Sequence, residues 1–302
     1  MNLRDLHYFV VLAEVMHFGE AAKRCHISQP TLSMQIKKLE DELGLLLFER
    51  NNKQVMLTEG GRAILGRVQR ILTQVAEMKD VARQASDPFS GELHLGVIPT
   101  LAPYLLPHVM PAIQSAFPKL RVWLVEEKTH RLIEKLTSGQ LDAALMATPV
   151  NEDFASQVLF DEPFYFASTN RTENKQKTEM QLSDLVNQQV MLLEEGHCLR
   201  EQAIAVCKLA KAEGRADFTA TSLETLRFMV ETGMGVTLLP ALAVYENKRG
   251  LQLRSFAKPA PTRTIALHWR PGTAKRDCLQ AIAKIITSTA NQLLKKDTVN
   301  LS

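Results

Sequence analysis

The sequence predicts an α+β protein: a winged helix-turn-helix head, a long linker helix, and then a two-lobed α/β domain. Three observations carry that reading. Along the first part of the chain, up to about Ala82, apolar residues recur at helical spacing. From Glu92 the rhythm changes to alternating strands and helices, the pattern of an α/β domain with a mostly parallel sheet. A strand pattern then returns late, at Thr264–Trp269, before a closing helix, which implies two lobes with crossing connections and a cleft between them.

The elements follow in order. Leu3, Leu6, Phe9, Val10, Leu12 and Ala13 lie on one helical face, so a helix spans about 3–16. A short second helix, about Gly19–Cys25, carries Ala21 and Ala22, small enough for close packing, and His26-Ile27 makes a tight turn. Ser28 is a good N-cap and Pro30 tolerates a first turn, so a third helix runs from there to about Leu43. Two short helices joined by a tight turn form a helix-turn-helix, although any three-helix bundle shares the pattern. Gln29, Thr31, Ser33, Gln35 and Lys37 ring the early turns of the third helix. Their hydrogen-bonding side chains suit base edges and phosphates, while Leu32, Ile36 and Leu39 face the core. Residues 20–55 hold six Lys/Arg against five Asp/Glu, so this is no basic arm; a dimer would double its phosphate contacts. Arg50, Asn51, Asn52 and Lys53 fit a wing between short strands at Leu46–Glu49 and Gln54–Leu57.

Thr58 is placed to cap a long helix. In it Ile64, Val68, Ile71, Val75, Met78 and Ala82 are spaced 4-3-4-3-4, the seam of a dimerising coiled coil, with a core-packed helix as the alternative. Ser86-Asp87-Pro88-Phe89-Ser90-Gly91 reads as a hinge. Beyond it come a strand at Leu93–Ile98, a helix at Pro103–Phe117, a strand at Leu120–Glu126, a helix at Thr129–Ser138 and a strand at Ala143–Ala147. A second unit starts near Phe164, with strands at Val190–Leu193 and Val236–Leu239 and a helix at Ser222–Thr232 ended by Gly233. Thr264–Trp269 and a helix at Cys278–Leu294 close the chain. The expected domains are 1–58, 59–90 and 91–302, the last with one lobe at about 91–163 and 265–302 and the other at about 164–264. Ligands of such sheets sit at strand C-terminal ends, and both Pro99-Thr100 and Glu194–Cys198 follow strands.

Gly196-His197-Cys198-Leu199-Arg200, with Cys207 nine positions after Cys198, is the densest chemistry in the chain. The residues between the thiols are good helix formers without Gly or Pro. On one straight helix two such residues stand about 13.5 Å apart, whereas a disulfide needs its Cα atoms within about 7 Å. The pair therefore suits a switch better than a staple, with two ordinary buried cysteines as the alternative. Cys198 falls near a helix N-terminus, whose partial positive charge favours a thiolate, and His197 and Arg200 stand beside it.

The 302 residues suggest two or three domains, and 45% hydrophobic with 23% charged residues is an ordinary composition with ample core. A net charge of +3 argues neither for nor against nucleic acid. Four cysteines without a metal-type CxxC exclude a disulfide scaffold and point to no metal; Cys25 and Cys278 read as buried small side chains, and His108 and His130 as surface or packing residues. The chain starts without a signal-peptide pattern, and no apolar run approaches the ~18 residues of a membrane span. The expectation is a cytoplasmic protein, free of membrane contact, in which any disulfide is transient.

Ala21-Ala22, Ser28-Gln29-Pro30-Thr31-Leu32-Ser33, Ile36, Leu39-Glu40, Leu43-Gly44, Leu47-Phe48-Glu49-Arg50, Leu57-Thr58-Glu59-Gly60-Gly61 and Gly235-Val236-Thr237-Leu238-Leu239-Pro240 resemble the LysR-type transcriptional regulators, and the likeness runs from end to end. The resemblance implies a periplasmic-binding-protein-like regulatory domain and double-stranded promoter DNA as partner. It makes Ser28, Gln29, Pro30, Thr31, Ser33, Gln35, Lys37 and Arg50 the DNA-binding residues. It also implies RNA polymerase as a partner and a homotetramer built as a dimer of dimers. Within that family, Ile98-Pro99-Thr100, Pro103-Tyr104-Leu105-Leu106-Pro107-His108, Gly196–Arg200, Cys207, Thr221–Arg227 and Arg263-Thr264-Ile265 are similar to the peroxide-sensing members. That likeness implies Cys198 as the peroxidatic thiol and Cys207 as the resolving thiol of a reversible disulfide, with Thr100, His197 and Arg263 around the peroxide. Hydrogen peroxide is then the reacting signal, no cofactor is needed, thiol reductants reset the switch, and the output is transcription of oxidative-stress genes rather than catalysis. Glu201 stands where these members carry Asp, and residues ~150–185 match least. Two other functions fit parts of the chain: a LysR-type regulator gated by a small organic effector in the cleft, and a catalytic thiol peroxidase, which leaves the helix-turn-helix and the heptad helix without a role.

Overall fold

A computed structural model describes residues 1–50, 54–84, 87–169, 179–186, 188–211, 213–244 and 250–300. It divides into two compact units, Met1–Ala82 with Ser138–Gln140, and Arg83–Thr137 with Leu141–Ser302. No described helix is long and apolar enough to cross a membrane.

The first unit is built of α1 (Leu3–Val15), α2 (Phe18–Arg24), α3 (Gln29–Leu43), β1 (Phe48–Arg50), β2 (Val55–Leu57) and α4 (Glu59–Gln84). Local chemistry sets the boundaries. Asn2 and Asp5 form a reciprocal capping box at α1. His26, at φ 54, turns the chain between α2 and α3. Ser28 Oγ accepts the Thr31 N–H at 3.3 Å, and Gly44, at φ 68, ends α3. Phe9, Leu12, Ala21, Leu32, Ile36 and Leu39 are fully buried together with Leu47, so the three helices and the start of the wing share one core. The wing is tied down by a buried carboxylate: Glu40 Oε1 accepts the N–H of Leu47 at 2.8 Å and of Phe48 at 3.2 Å. The expected wing tip, Asn51, Asn52 and Lys53, lies outside the described residues, as does Ser86 of the hinge.

Thr58 Oγ1 accepts the Gly61 N–H at 2.9 Å and so caps α4. Gly61 sits so close to the wing that a Cβ there would meet Leu47 O at 2.3 Å. The heptad row differs from a uniform outward seam. Val68 is buried at 6% exposure in the head's own core and Ile64 packs against that core, while Ile71 and Met78 are exposed at 41% and 66%. The reason is length: the first turns of α4 lie against the three-helix head, and only later turns run free of it. Val75 is half-buried, and the side chain of Ala82 lies outside the described residues.

The second unit begins with β3 (Gly91–Val97), α5 (Ala102–Ala116), β4 (Leu120–Glu126), α6 (Thr129–Thr137) and β5 (Ala143–Ala147). It continues through β6 (Ala155–Thr169), β7 (Glu179–Met180), a 3-10 turn (Leu182–Leu185), β8 (Gln189–Leu193), α7 (Cys198–Ala210), β9 (Glu213–Ala220) and α8 (Leu223–Glu231). It ends with β10 (Thr237–Pro240), α9 (Ala241–Val244), β11 (Leu251–Phe256), β12 (Thr262–Trp269) and α10 (Arg276–Asn300). β3 pairs in parallel with β4 and β5. β8 pairs in parallel with β9 and β7 with β11, yet the expectation of a mostly parallel sheet holds only in part. β12 lies antiparallel between β5 and β6, and the far half of β6 pairs antiparallel with β10 and β11. Long strands that cross between lobes return in the opposite direction, so the sheet is mixed. Phe160 of β6 belongs to the first lobe's core and Phe164, four residues on, to the second's. The lobes thus change over inside one strand.

Candidate functional site

The loop from β8 to α7 places the thiols. Gly196 has φ +90, a conformation that favours glycine, and a Cβ there would sit 3.1 Å from Lys128 Cδ and 3.5 Å from the His130 ring. His197 is the N-cap and Cys198 the first residue of α7. Cys198 is half-buried and packs against the first lobe's core, whereas Cys207 is 3% exposed inside the second lobe's core. Both are free thiols on one continuous helix, so about 13.5 Å of helix rise separates them. Burial pushes the Cys207 thiol pKa up.

A buried polar network stands at the end of β3. Arg263 donates from Nε and Nη2 to Glu162 Oε2, both at 2.8 Å, and both side chains are fully buried. Its Nη1 donates to Thr100 Oγ1 at 3.0 Å and its Nη2 to Thr100 O at 3.1 Å. Glu162 Oε1 accepts the Leu242 N–H at 2.7 Å. Thr100 and Arg263 are therefore brought together as a bonded pair, with Glu162 as the counter-ion that sequence reasoning missed.

His197 is 4% exposed, and its Nε2 has no hydrogen-bond partner. Its pKa is lowered, chiefly by burial and then by the Lys128 charge, against the opposing pull of Glu194 and a backbone hydrogen bond to Thr221. It is neutral at neutral pH. Lys128 bonds Glu194 Oε1 at 2.5 Å and Glu195 O at 3.3 Å, which anchors the start of α6 to the loop before Cys198. That bond holds the Glu194 carboxyl below its usual range. Among the described residues, Thr129 Oγ1 and Gln202 Oε1, the latter one turn along α7 from Cys198, are also buried without a partner. Unpaired buried polar atoms are rare in folded proteins. Thr129 and Gln202 carried no signal in the sequence beyond ordinary helix chemistry.

Arg200 does not turn its charge on the thiol alone; Nη1 donates to Leu193 O at 2.8 Å and fastens α7 to β8. A second polar chain joins α5 to α8, where Tyr104 donates to Glu224 at 2.7 Å and the buried Arg227 holds Glu224 at 2.8 Å and Glu231 at 2.6 Å. Burial raises the Tyr104 pKa, so its hydroxyl stays protonated. Cys278 is buried with its pKa pushed up to about 11, and Cys25 is half-buried in the head; burial accounts for both shifts.

In the head, α3 turns Gln29, Pro30 and Lys37 outward. Thr31, Ser33 and Gln35 are half-buried at its flanks. Ser28 serves as the cap, its hydroxyl 2.7 Å from that of Thr31. Arg50 ends β1, and its side chain lies outside the described residues.

Known proteins resemble this chain along its length. Residues 3–62 match the bacterial regulatory helix-turn-helix proteins of the lysR family, and residues 86–291 match the LysR substrate binding domain. The chain is 46% identical over 289 residues to the DNA-binding transcriptional dual regulator OxyR of Escherichia coli strain K12, covering 95% of each. It is similar to a full-length OxyR cysteine-to-aspartate variant from Pseudomonas aeruginosa at 37% identity and TM-score 0.79, over 95% of this chain and 94% of that one. A peroxide-bound OxyR cysteine-to-serine mutant of Corynebacterium glutamicum matches at 29% identity and TM-score 0.69, over 99% of this chain and 95% of that one.

Proposed function

The chain belongs to the LysR family of helix-turn-helix regulators, and on that premise we propose that it is a peroxide-responsive transcriptional regulator switched by its own Cys198 and Cys207. One observation carries the reading: two free thiols lie on one helix, each embedded in a different core, too far apart to bond. Its OxyR relatives and the peroxide-bound OxyR structure support the signal.

The chemistry runs in two displacements. The Cys198 thiolate attacks one peroxide oxygen; an S–O bond forms, the O–O bond breaks, and the departing hydroxide takes a proton to leave as water. Thr100, held by Arg263, and the neutral His197 orient the peroxide and the leaving oxygen. The sulfenic sulfur is then attacked by the Cys207 thiolate; an S–S bond forms and a second water leaves. The cysteines lose two electrons and the peroxide gains them. The second displacement requires α7 to unwind, because disulfide geometry cannot span the helix. A refolded α7 alters the surface of its lobe, and that change is the message passed to the DNA-binding heads.

The regulator so described acts through residues 1–58 on promoter DNA, through Ile71, Val75 and Met78 in dimerisation, and through 91–302 as sensor, with 59–90 between. It assembles as a dimer of dimers in the cytoplasm, contacts RNA polymerase, and is reset by cellular thiol reductants. The test is mass spectrometry after one equivalent of peroxide. Wild type loses two hydrogens, reversibly with dithiol; Cys207→Ser gains one oxygen; Cys198→Ser does neither and no longer changes its DNA footprint. A Cys198→Ser protein that still responds to peroxide would sink the assignment. DNA binding that depends on an organic effector in the cysteine-free protein would favour the effector-gated alternative.

A further inference from the structure

The reading surface of α3 has at its centre a residue that hydrogen-bonding arguments pass over. Leu32, Ile36 and Leu39 are fully buried and define the inward direction of the helix. A helix turns about 100° per residue, so Met34 projects about 190° from that direction, straight away from the core. It is 62% exposed, the most outward large apolar side chain of the helix. Thr31, Ser33 and Gln35, the polar neighbours expected to read bases, are half-buried on the flanks instead. Lys37 and Lys38 stand three and four positions on, one to each side of Met34, both exposed. A methionine framed by two lysines matches a groove that is lined with phosphates at its edges and offers apolar groups on its floor.

In the major groove the only apolar group that a base pair presents is the thymine 5-methyl. We propose that Met34 is a specificity-determining residue of this regulator, packing its thioether against the methyl of one or two thymines in each half-site while Lys37 and Lys38 meet the flanking phosphates. The inference rests on the DNA-binding function proposed above. Met side chains are flexible and polarisable, so the contact tolerates either strand's thymine. Met34 is exposed and opposite the buried face, so its replacement should leave the packing of α3 intact.

The experiment uses the full-length protein and duplexes that it selects from a random pool. Each thymine of the selected site is replaced by deoxyuridine, which deletes one methyl and keeps every hydrogen-bonding group. Wild type should lose affinity about fourfold at one or two positions per half-site, the effect of withdrawing one methyl-sized apolar group from water. Met34→Ala should bind thymine and deoxyuridine duplexes equally, and Met34→Leu should retain part of the discrimination. Equal sensitivity of wild type and Met34→Ala at every thymine, or no sensitivity in either, overturns the proposal. A protein that selects no sequence at all overturns the DNA-binding reading, and this inference with it.

Discussion

Replacing Glu162 by Ala tests whether the buried charge network holds the sensor together. Glu162 and Arg263 are both fully buried, and Glu162 is the one carboxylate bonded to that guanidinium among the described contacts. The substitution leaves Arg263 with only the two Thr100 oxygens and strips the Leu242 N–H of its acceptor. Removing one partner of a buried pair destabilises by about 3–5 kcal/mol, because the remaining charge stays desolvated and uncompensated. For a domain of this size each kcal/mol moves the melting temperature by about 2–4 °C, so the sensor should melt roughly 6–20 °C lower. Glu162→Gln keeps the volume and one acceptor oxygen, for either the Leu242 N–H or the guanidinium but not both, so it too should lose stability, by less than Ala. Calorimetry gives the first number and stopped-flow oxidation of Cys198 the second: the reaction should slow as Thr100 loses its fixed orientation. A Glu162→Ala protein that melts within about 2 °C of wild type and oxidises at the same rate would show that the network neither stabilises nor positions.

Three further outcomes follow from other parts of the molecule. Glu40→Ala orphans two buried N–H groups, of Leu47 and Phe48, and should destabilise the head by about 2–6 kcal/mol and weaken DNA binding, read by thermal melts and by footprinting. Lys128→Met removes the cation that bonds Glu194 and lowers the His197 pKa, so the imidazole titration followed by NMR should move up; an unchanged titration would remove Lys128 from the account. His197 and His268 are both buried with lowered pKa values, so the unfolded chain takes up protons at pH values where the fold resists them. Their stability contribution is complete above the ordinary histidine value of 6.5, and shrinks as pH falls below it toward the depressed folded values. Denaturant unfolding between pH 7.5 and about 5 should show this slope, flattened in His268→Phe.

Much of the head was legible because its punctuation is local. Ser28, Pro30 and Gly44 delimit α3, and Leu32, Ile36 and Leu39 point inward as their spacing requires. The heptad row misled in part, since periodicity reveals a stripe but not which neighbour covers it; Val68 belongs to the head itself. In the regulatory domain β6 escaped notice because Asp161-Glu162-Pro163 interrupts its apolar alternation at the point where it passes from one lobe's core to the other's. β9 and β11 are similarly polar and carry weak strand patterns. Direction was not legible at all: strand pattern does not distinguish parallel from antiparallel pairing, and the crossing strands made the sheet mixed. At the candidate site, Cys198, Cys207 and His197 sit within one readable motif, Thr100 follows a strand where ligands of such sheets sit, and Arg263 came through resemblance. Glu162 joins them only through tertiary contacts, for which a linear chain offers no signal.

Switching requires α7 to be an intact helix with free thiols and a rearranged segment with bonded ones. Hydrogen exchange of the α7 amides, Cys198–Ala210, measured on the full-length protein before and after peroxide, addresses this directly. Strong protection in the reduced protein, lost in the oxidised one and restored by dithiol, is the predicted result. Formation of the disulfide with α7 protection unchanged would contradict it.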